Sequence, residues 1–302
     1  MRILFAIVLA LGAVHSAMAA ERDRSLAVGG MARLYTLISP DRQTEPLPLI
    51  IVYHGGGQTA ERARAYTRFD EWAKRENFIA VYPQGLGNNW NDGRQSAGLL
   101  DRPASNANDI EFTAQIIAQL VAEGKVNQSR VFLTGASNGG MMAMYAGCQL
   151  PGRIAGIAPV VANQPTSWRC KATGLPALFI HGTEDEYMPF AGGQIAAKKS
   201  RSNLGTVLGA DKTIELYKTM NGCTDVKETK RLDNVGRDQT IAVVTEFNCT
   251  VAPLKRIVIE GGGHTWPGAR TGIIADWILG RTSEEVDATA EIRTFFKSLP
   301  SR

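Results

Sequence analysis

The chain has 302 residues, of which 44% are hydrophobic and 21% charged, and it carries a formal net charge of +4. That length suits one large α/β domain with a sizeable core, and the composition is that of an ordinary globular protein. The positive balance is small and no Lys/Arg block is dense enough for a nucleic-acid face; the strongest cluster, Lys198-Lys199-Ser200-Arg201, reads as a solvated loop or helix end.

At the N-terminus, Met1-Arg2 is a short positive stretch, residues 3–14 are apolar, and Ala17-Met18-Ala19 is a small-residue cleavage site. This pattern predicts a signal peptide over residues 1–19 and a single folded domain over residues 20–302, secreted or periplasmic. The apolar stretch is too short for a stable membrane span and no other segment qualifies, so no membrane partner is expected. Strand-like runs at 34–39 and 49–53 flank a Pro-rich turn and read as a hairpin. Helical spacing then covers 61–76, 110–123 and 141–150, with Asn108-Asp109 as an N-cap for the second. Continuous apolar runs at 78–82, 130–133, 154–161, 177–181 and 256–259 suit strands covered on both faces. Residues 191–210, rich in Gly, Ser and Ala, read as a loop or cap, and 283–299 as a last helix opening on Ser-Glu-Glu. Repeated β–α units of this kind predict an α/β fold, a mostly parallel, doubly wound sheet with helices on both faces. Ligand chemistry then belongs at the C-terminal ends of the strands.

The four cysteines, Cys148, Cys170, Cys223 and Cys249, are an even number in an exported chain and predict two disulfides. Three connectivities are possible, and the sequence-nearest pairing, Cys148 with Cys170 and Cys223 with Cys249, is favoured. No Cys-x-x-Cys or clustered Cys/His spacing points to a metal, and no organic cofactor is implied.

One such strand end carries a nucleophile motif. Gly135-Ala-Ser137-Asn-Gly139 follows an apolar strand and leads into a helix-compatible stretch, the setting in which a serine hydroxyl is exposed on a tight turn. A serine needs a base, an acid that orients the base, and donors for the oxyanion; on this fold they come in the order Ser, acid, His. Of four histidines, His15 leaves with the signal peptide and His54 and His181 precede the acid loop. That leaves His264, in a glycine-rich loop after the last strand. The acid lies in Gly182-Thr-Glu184-Asp185-Glu186, where spacing alone does not choose among the three. For the oxyanion, the backbone N–H of Asn138 follows the nucleophile, and His54-Gly-Gly56-Gly57 supplies a second donor, Gly56 ahead of Gly57, with His54 bracing the loop. Trp90 and Trp266 are candidate substrate-lining residues. Asp92 and Arg94 suit either recognition of a polar substrate group or an exposed turn.

These elements resemble a known family. His54-Gly-Gly-Gly-Gln58, Asn89-Trp-Asn-Asp-Gly93, Gly135-Ala-Ser-Asn-Gly-Gly-Met-Met142, His181-Gly-Thr-Glu-Asp185 and Gly262-Gly-His-Thr-Trp-Pro-Gly268 are similar to motifs of the secreted α/β-hydrolase esterases. That family includes poly(3-hydroxybutyrate) depolymerases and feruloyl and acetylxylan esterases. The resemblance implies an α/β-hydrolase catalytic domain with Ser137, Asp185 and His264 as its triad. It implies ester hydrolysis through an acyl-enzyme, with a hydroxyalkanoate oligomer as the first substrate expectation and an aryl or acetyl ester of plant polysaccharide as the alternative. Many depolymerases of the family have His-Gly-Cys where this chain has His54-Gly55-Gly56, which argues against crystalline polymer. A non-catalytic binding protein on the same fold is the rival from another class, and acyl transfer to an acceptor other than water is a third possibility.

Overall fold

A computed structural model describes residues 20–94, 107–195, 204–270 and 278–301. The proposed signal peptide lies outside the described residues. Among those described, ten strands form one sheet. In chain order they are β1 (Ala20–Val28), β2 (Met31–Ser39), β3 (Leu47–Tyr53), β4 (Ile79–Pro83), β5 (Val126–Ala136), β6 (Gly156–Val160), β7 (Ala177–Gly182), β10 (Cys223–Leu232), β11 (Ile241–Cys249) and β12 (Leu254–Glu260). A separate two-residue pair, β8 (Gly193–Gln194) and β9 (Thr206–Val207), lies between β7 and β10 in the chain. The spatial order is β1-β2-β4-β3-β5-β6-β7-β12-β11-β10. The six central strands, β4 to β12, are mutually parallel, and antiparallel strands close both ends.

The helices are α1 (Ala60–Thr67), α2 (Phe69–Glu76), α3 (Asp109–Ala122), α4 (Asn138–Gln149), α5 (Ala210–Asn221) and α6 (Ala288–Ser298). Adjacent residues of the central strands feed two different cores. Leu49, Ile51 and Tyr53 of β3 pack with Phe112 and Ile116 of α3 and with the methionines of α4. Ile50 and Val52 pack with Phe69 of α2 and with Ile292 and Phe296 of α6. Both faces are therefore covered, which is why these strands read as unbroken apolar runs rather than alternating ones.

The predicted hairpin between 34–39 and 49–53 is not formed. β2 instead turns back on β1 through Gly29 and Gly30, both at positive φ, and its other edge is taken by β4. Two adjacent glycines make that two-residue turn at no steric cost. The single helix expected over 61–76 is broken at Arg68, whose φ of 53° lies in the left-handed region and separates α1 from α2. The last helix starts later than expected: Asp287 caps it, accepting from the Ala290 N–H at 3.0 Å. Glu285 instead accepts from the backbone N–H groups of Asn234 and Val235, which commits the Ser-Glu-Glu run to holding a neighbouring loop. Asn108 does cap α3, through the Glu111 N–H at 2.9 Å. Disulfides join Cys148 to Cys170 and Cys223 to Cys249. Among the described residues no helix is long and apolar enough to cross a membrane.

The chain winds from β3 to β4 on one side and then returns to place β5 on the other side of β3. That reversal falls between β3 and β5, and the C-terminal ends of strands at such a switch point are where doubly wound sheets bind ligands.

Candidate active site

β5 ends at Ala136, and Ser137 follows with φ 57° and ψ −122° before α4 begins at Asn138. A non-glycine residue in this conformation costs on the order of 1–3 kcal/mol and persists only where its surroundings enforce it. Ser137 is held by its N–H, which donates to Val160 O at the end of β6 (3.0 Å), and by its carbonyl, which accepts from Met141 N–H (2.9 Å). Glycines make the turn fit. A Cβ on Gly139 would lie 2.5 Å from His54 O and closer still to Tyr53 O, and one on Gly135 would lie 2.5 Å from Tyr53 O. Strand β3 thus passes against the start of α4, and no larger residue could sit between them.

The candidate acid and base come from the ends of the neighbouring strands β7 and β12. Thr183 N–H donates to Ile259 O (3.0 Å), Glu184 N–H to Gly262 O (2.9 Å), and Gly261 N–H to Thr183 Oγ1 (2.9 Å), so the two loops are stitched together. Asp185 is buried, and its Oδ1 accepts from the backbone N–H groups of Tyr187 (2.9 Å) and Met188 (2.7 Å). Its Oδ2 lies 2.7 Å from His264 Nδ1. The other two acids of the loop point elsewhere: Glu184 pairs with Arg281 at 2.7 Å on the surface, and Glu186 is exposed. The carboxylate can only accept, so it assigns the proton to Nδ1 and leaves Nε2 as a lone pair. Tyr187 stacks obliquely beside the imidazole, with ring centroids 5.3 Å apart.

His54 is fully buried at the end of β3. Its Nδ1 bonds Gly55 O at 2.8 Å and its Nε2 accepts from the Gly85 N–H at 3.0 Å. Both ring nitrogens are thus committed to the backbone, and burial lowers its pKa to about 4. Its role is to brace the loop. The Gly57 N–H donates to Asn88 O at 2.8 Å, which removes it as an oxyanion donor. Gly56 is half-buried and lies directly against Asn138: a Cβ there would sit 3.5 Å from Asn138 Cβ.

The two tryptophans do not line the site. Trp90 is buried, packs on Tyr53 and His54, and donates its indole N–H to His54 O at 2.8 Å. Trp266 is buried among Tyr66 and Phe69 and donates to Thr289 Oγ1 at 3.1 Å. Both indole N–H groups are satisfied inside the fold, the usual condition for a core tryptophan. Asp92 is neither an exposed turn residue nor free to meet substrate: it is buried, and one of its oxygens accepts from Asn138 Nδ2 at 2.7 Å. Sequence reasoning also passed over Val161, a buried β-branched residue with φ 44° at the end of β6, and Tyr187 beside the imidazole. Neither has a sequence signal, because strain and ring orientation arise from the packing of distant strands. Among the described residues no group of His, Cys, Asp and Glu is arranged to hold a metal ion.

Residues 36–230 match the phospholipase/carboxylesterase family. The chain belongs to this family. It is a serine hydrolase of carboxylic esters on an α/β-hydrolase fold. The esterase is 27% identical over 256 residues to the putative esterase NocK of Nocardia uniformis subsp. tsuyamanensis, a match covering 81% of this chain and 74% of that one. It is 28% identical over 186 residues to feruloyl esterase B of Piromyces equi, covering 59% of this chain but only 33% of the relative. Its fold is similar to that of an acetyl xylan esterase from Aspergillus awamori, with a TM-score of 0.58 over 91% of this chain and 98% of that chain at 13% identity. The family match contains Ser137 and Asp185, while His264 lies beyond it.

Proposed function

We propose that the esterase cleaves aryl or acetyl esters carried on polysaccharide, through an acyl-enzyme on Ser137. The observation that carries the mechanism is the 2.7 Å contact between His264 Nδ1 and Asp185 Oδ2, at the same end of the parallel strands as the strained Ser137. With Nδ1–H donated to Asp185, the His264 Nε2 lone pair takes the Ser137 proton as Oγ attacks the ester carbonyl. The resulting imidazolium then returns that proton to the leaving alcohol, and water repeats the cycle in reverse to release the acid. Backbone N–H groups of Asn138 and Gly56 hold the oxyanion. Asn138 is the first residue of α4, whose N-terminal N–H groups have no intrahelical acceptor and whose dipole favours negative charge there.

The names of the feruloyl and acetyl xylan esterase relatives support this substrate class ahead of the hydroxyalkanoate oligomers first expected from the sequence. We read residues 1–19 as a signal peptide and 20–302 as a single catalytic domain; the two disulfides support folding in an oxidising compartment. Ser137→Ala is expected to abolish labelling by a fluorophosphonate and to lower turnover of p-nitrophenyl acetate at least about 10³-fold with the melting temperature unchanged. Substantial residual hydrolysis would sink the mechanism. Among methyl ferulate, acetylated xylan and hydroxybutyrate oligomers, the highest kcat/KM is expected on one of the first two; preference for the oligomers would overturn the substrate assignment.

A further inference from the structure

We propose that Asp92 is a positioning residue for ester hydrolysis, fixing the oxyanion-binding start of α4 through the side chain of Asn138. The inference rests on the reading of the Asn138 N–H as an oxyanion donor. Asn138 is buried, and its carboxamide is held on three sides: Oδ1 accepts from Trp90 N–H (2.8 Å), and Nδ2 donates to Trp90 O (3.2 Å) and to Asp92 Oδ2 (2.7 Å). Both N–H donors of the carboxamide are used. Because a carboxylate only accepts, Asp92 also dictates which end of the carboxamide is nitrogen. The backbone of Asn138 therefore cannot swing without breaking this set.

The same short segment after β4 touches the other half of the oxyanion site. Asn88 O accepts from Gly57 N–H, Trp90 Nε1 donates to His54 O, and Asn89 Oδ1 lies against Gly56. Residues 88–92 thus span both donor loops and set their separation. Asp92 anchors the segment: its Oδ1 accepts from Arg94 N–H (3.1 Å) and Nε (2.9 Å), and its carbonyl from Trp168 Nε1 (2.9 Å). Burial pushes the Asp92 carboxyl above the usual carboxylate range, opposed by Arg94 and by the bond from Asn138. The guanidinium has a second consequence. A bare carboxylate near a developing oxyanion would oppose it, and the Arg94 guanidinium on Oδ1 offsets that charge while leaving the charge-assisted bond from Asn138 to Oδ2 intact.

The experiment is a double-mutant cycle on p-nitrophenyl acetate with active sites counted by fluorophosphonate titration. Asp92→Ala and Asn138→Ala are each expected to lower kcat per titrated site about 10–100-fold, with KM held within about twofold, as a misplaced oxyanion donor should. The double variant is expected to fall no further than the worse single one, because Asp92 acts through Asn138. A role confined to stability would lower the melting temperature and the titrated fraction while kcat per site stayed at the wild-type value. That result, or fully additive losses, overturns the proposal. Should Asp92→Ala fail to fold, Asp92→Asn carries the same test: its amide cannot accept from both Arg94 and Asn138, so kcat falls at constant KM, and an unchanged kcat overturns the proposal. Absence of labelling in the wild type would instead overturn the nucleophile assignment, and this inference with it.

Discussion

Asp185 does two things with two oxygens, and the division has a consequence for catalysis. Oδ1 is occupied by the N–H groups of Tyr187 and Met188, so only Oδ2 faces His264. In Asp185→Asn the amide oxygen stays with the two backbone donors, and the NH2 group turns towards His264 Nδ1. That ring nitrogen must then accept, the proton moves to Nε2, and the base is lost. A fall in kcat of about 10⁴ with near-normal stability is therefore expected, measured by steady-state kinetics and thermal unfolding; a loss below tenfold would contradict the assigned tautomer. Ser137 was marked in the sequence by its Gly-x-Ser-x-Gly turn, and His264 by chain order, because a single histidine follows the acid loop. Asp185 was legible only through family resemblance, since three consecutive acids differ by which way a turn faces, and the two backbone bonds that decide it are invisible in sequence. The burial of Trp90 and Trp266 was hidden for a related reason: proximity in the chain to catalytic motifs does not reveal whether an indole faces solvent or the core.

Among the elements, the central parallel strands and the covering helices α3, α4 and α6 were readable, because burial on both faces writes unbroken apolar runs in the strands and one apolar face on each helix; α5, after the Gly/Ser/Ala-rich stretch, was not. Strand β10 was not. Its residues are mostly exposed on both faces, so the run Thr224-Asp-Val-Lys-Glu-Thr-Lys-Arg231 carries no alternation to betray a strand. What holds it is pairing with β11, clamped at one end where Cys223 and Cys249 face each other in register. The other disulfide ties α4, the helix that follows Ser137, to the segment that follows β6. Sequence separations of 22 and 26 residues give loops whose closure is worth about 3 kcal/mol each in the chain-entropy account. Reduction is expected to lower the melting temperature by several degrees, read by thermal unfolding with and without reductant. An unchanged melting temperature under full reduction would show that neither bridge contributes.

At the scale of the whole molecule, two buried histidines make stability depend on pH. Burial lowers His54 to about 4, and burial together with the nearby Arg256 lowers His181 to about 3, against 6.5 for an unperturbed imidazole. Between these values the unfolded chain binds more protons than the folded one. The stability they allow is complete above pH 6.5 and is lost as pH falls towards 4 and 3, by a few kcal/mol for each imidazole. Denaturant unfolding is expected to show stability declining steadily from pH 6.5 to pH 5, above the range where most carboxylates titrate. A flat profile over that interval would mean that both imidazoles reach solvent.

Periodicity and punctuation along the chain were enough for an α/β pattern, for parallel strands buried on both faces, for a serine turn between glycines, and for one histidine late enough to pair with it. Those features are local, set by side-chain volume, backbone freedom and spacing along the chain. Contacts between distant segments set the rest: Asp185 meets His264, Gly57 is spent on Asn88, both tryptophans are buried, and Asp92 reaches Asn138 across 46 residues of chain. Each of those depends on a hydrogen bond or a packing contact between segments distant in sequence, which the pairing of non-consecutive strands and the packing of helices on the sheet bring together.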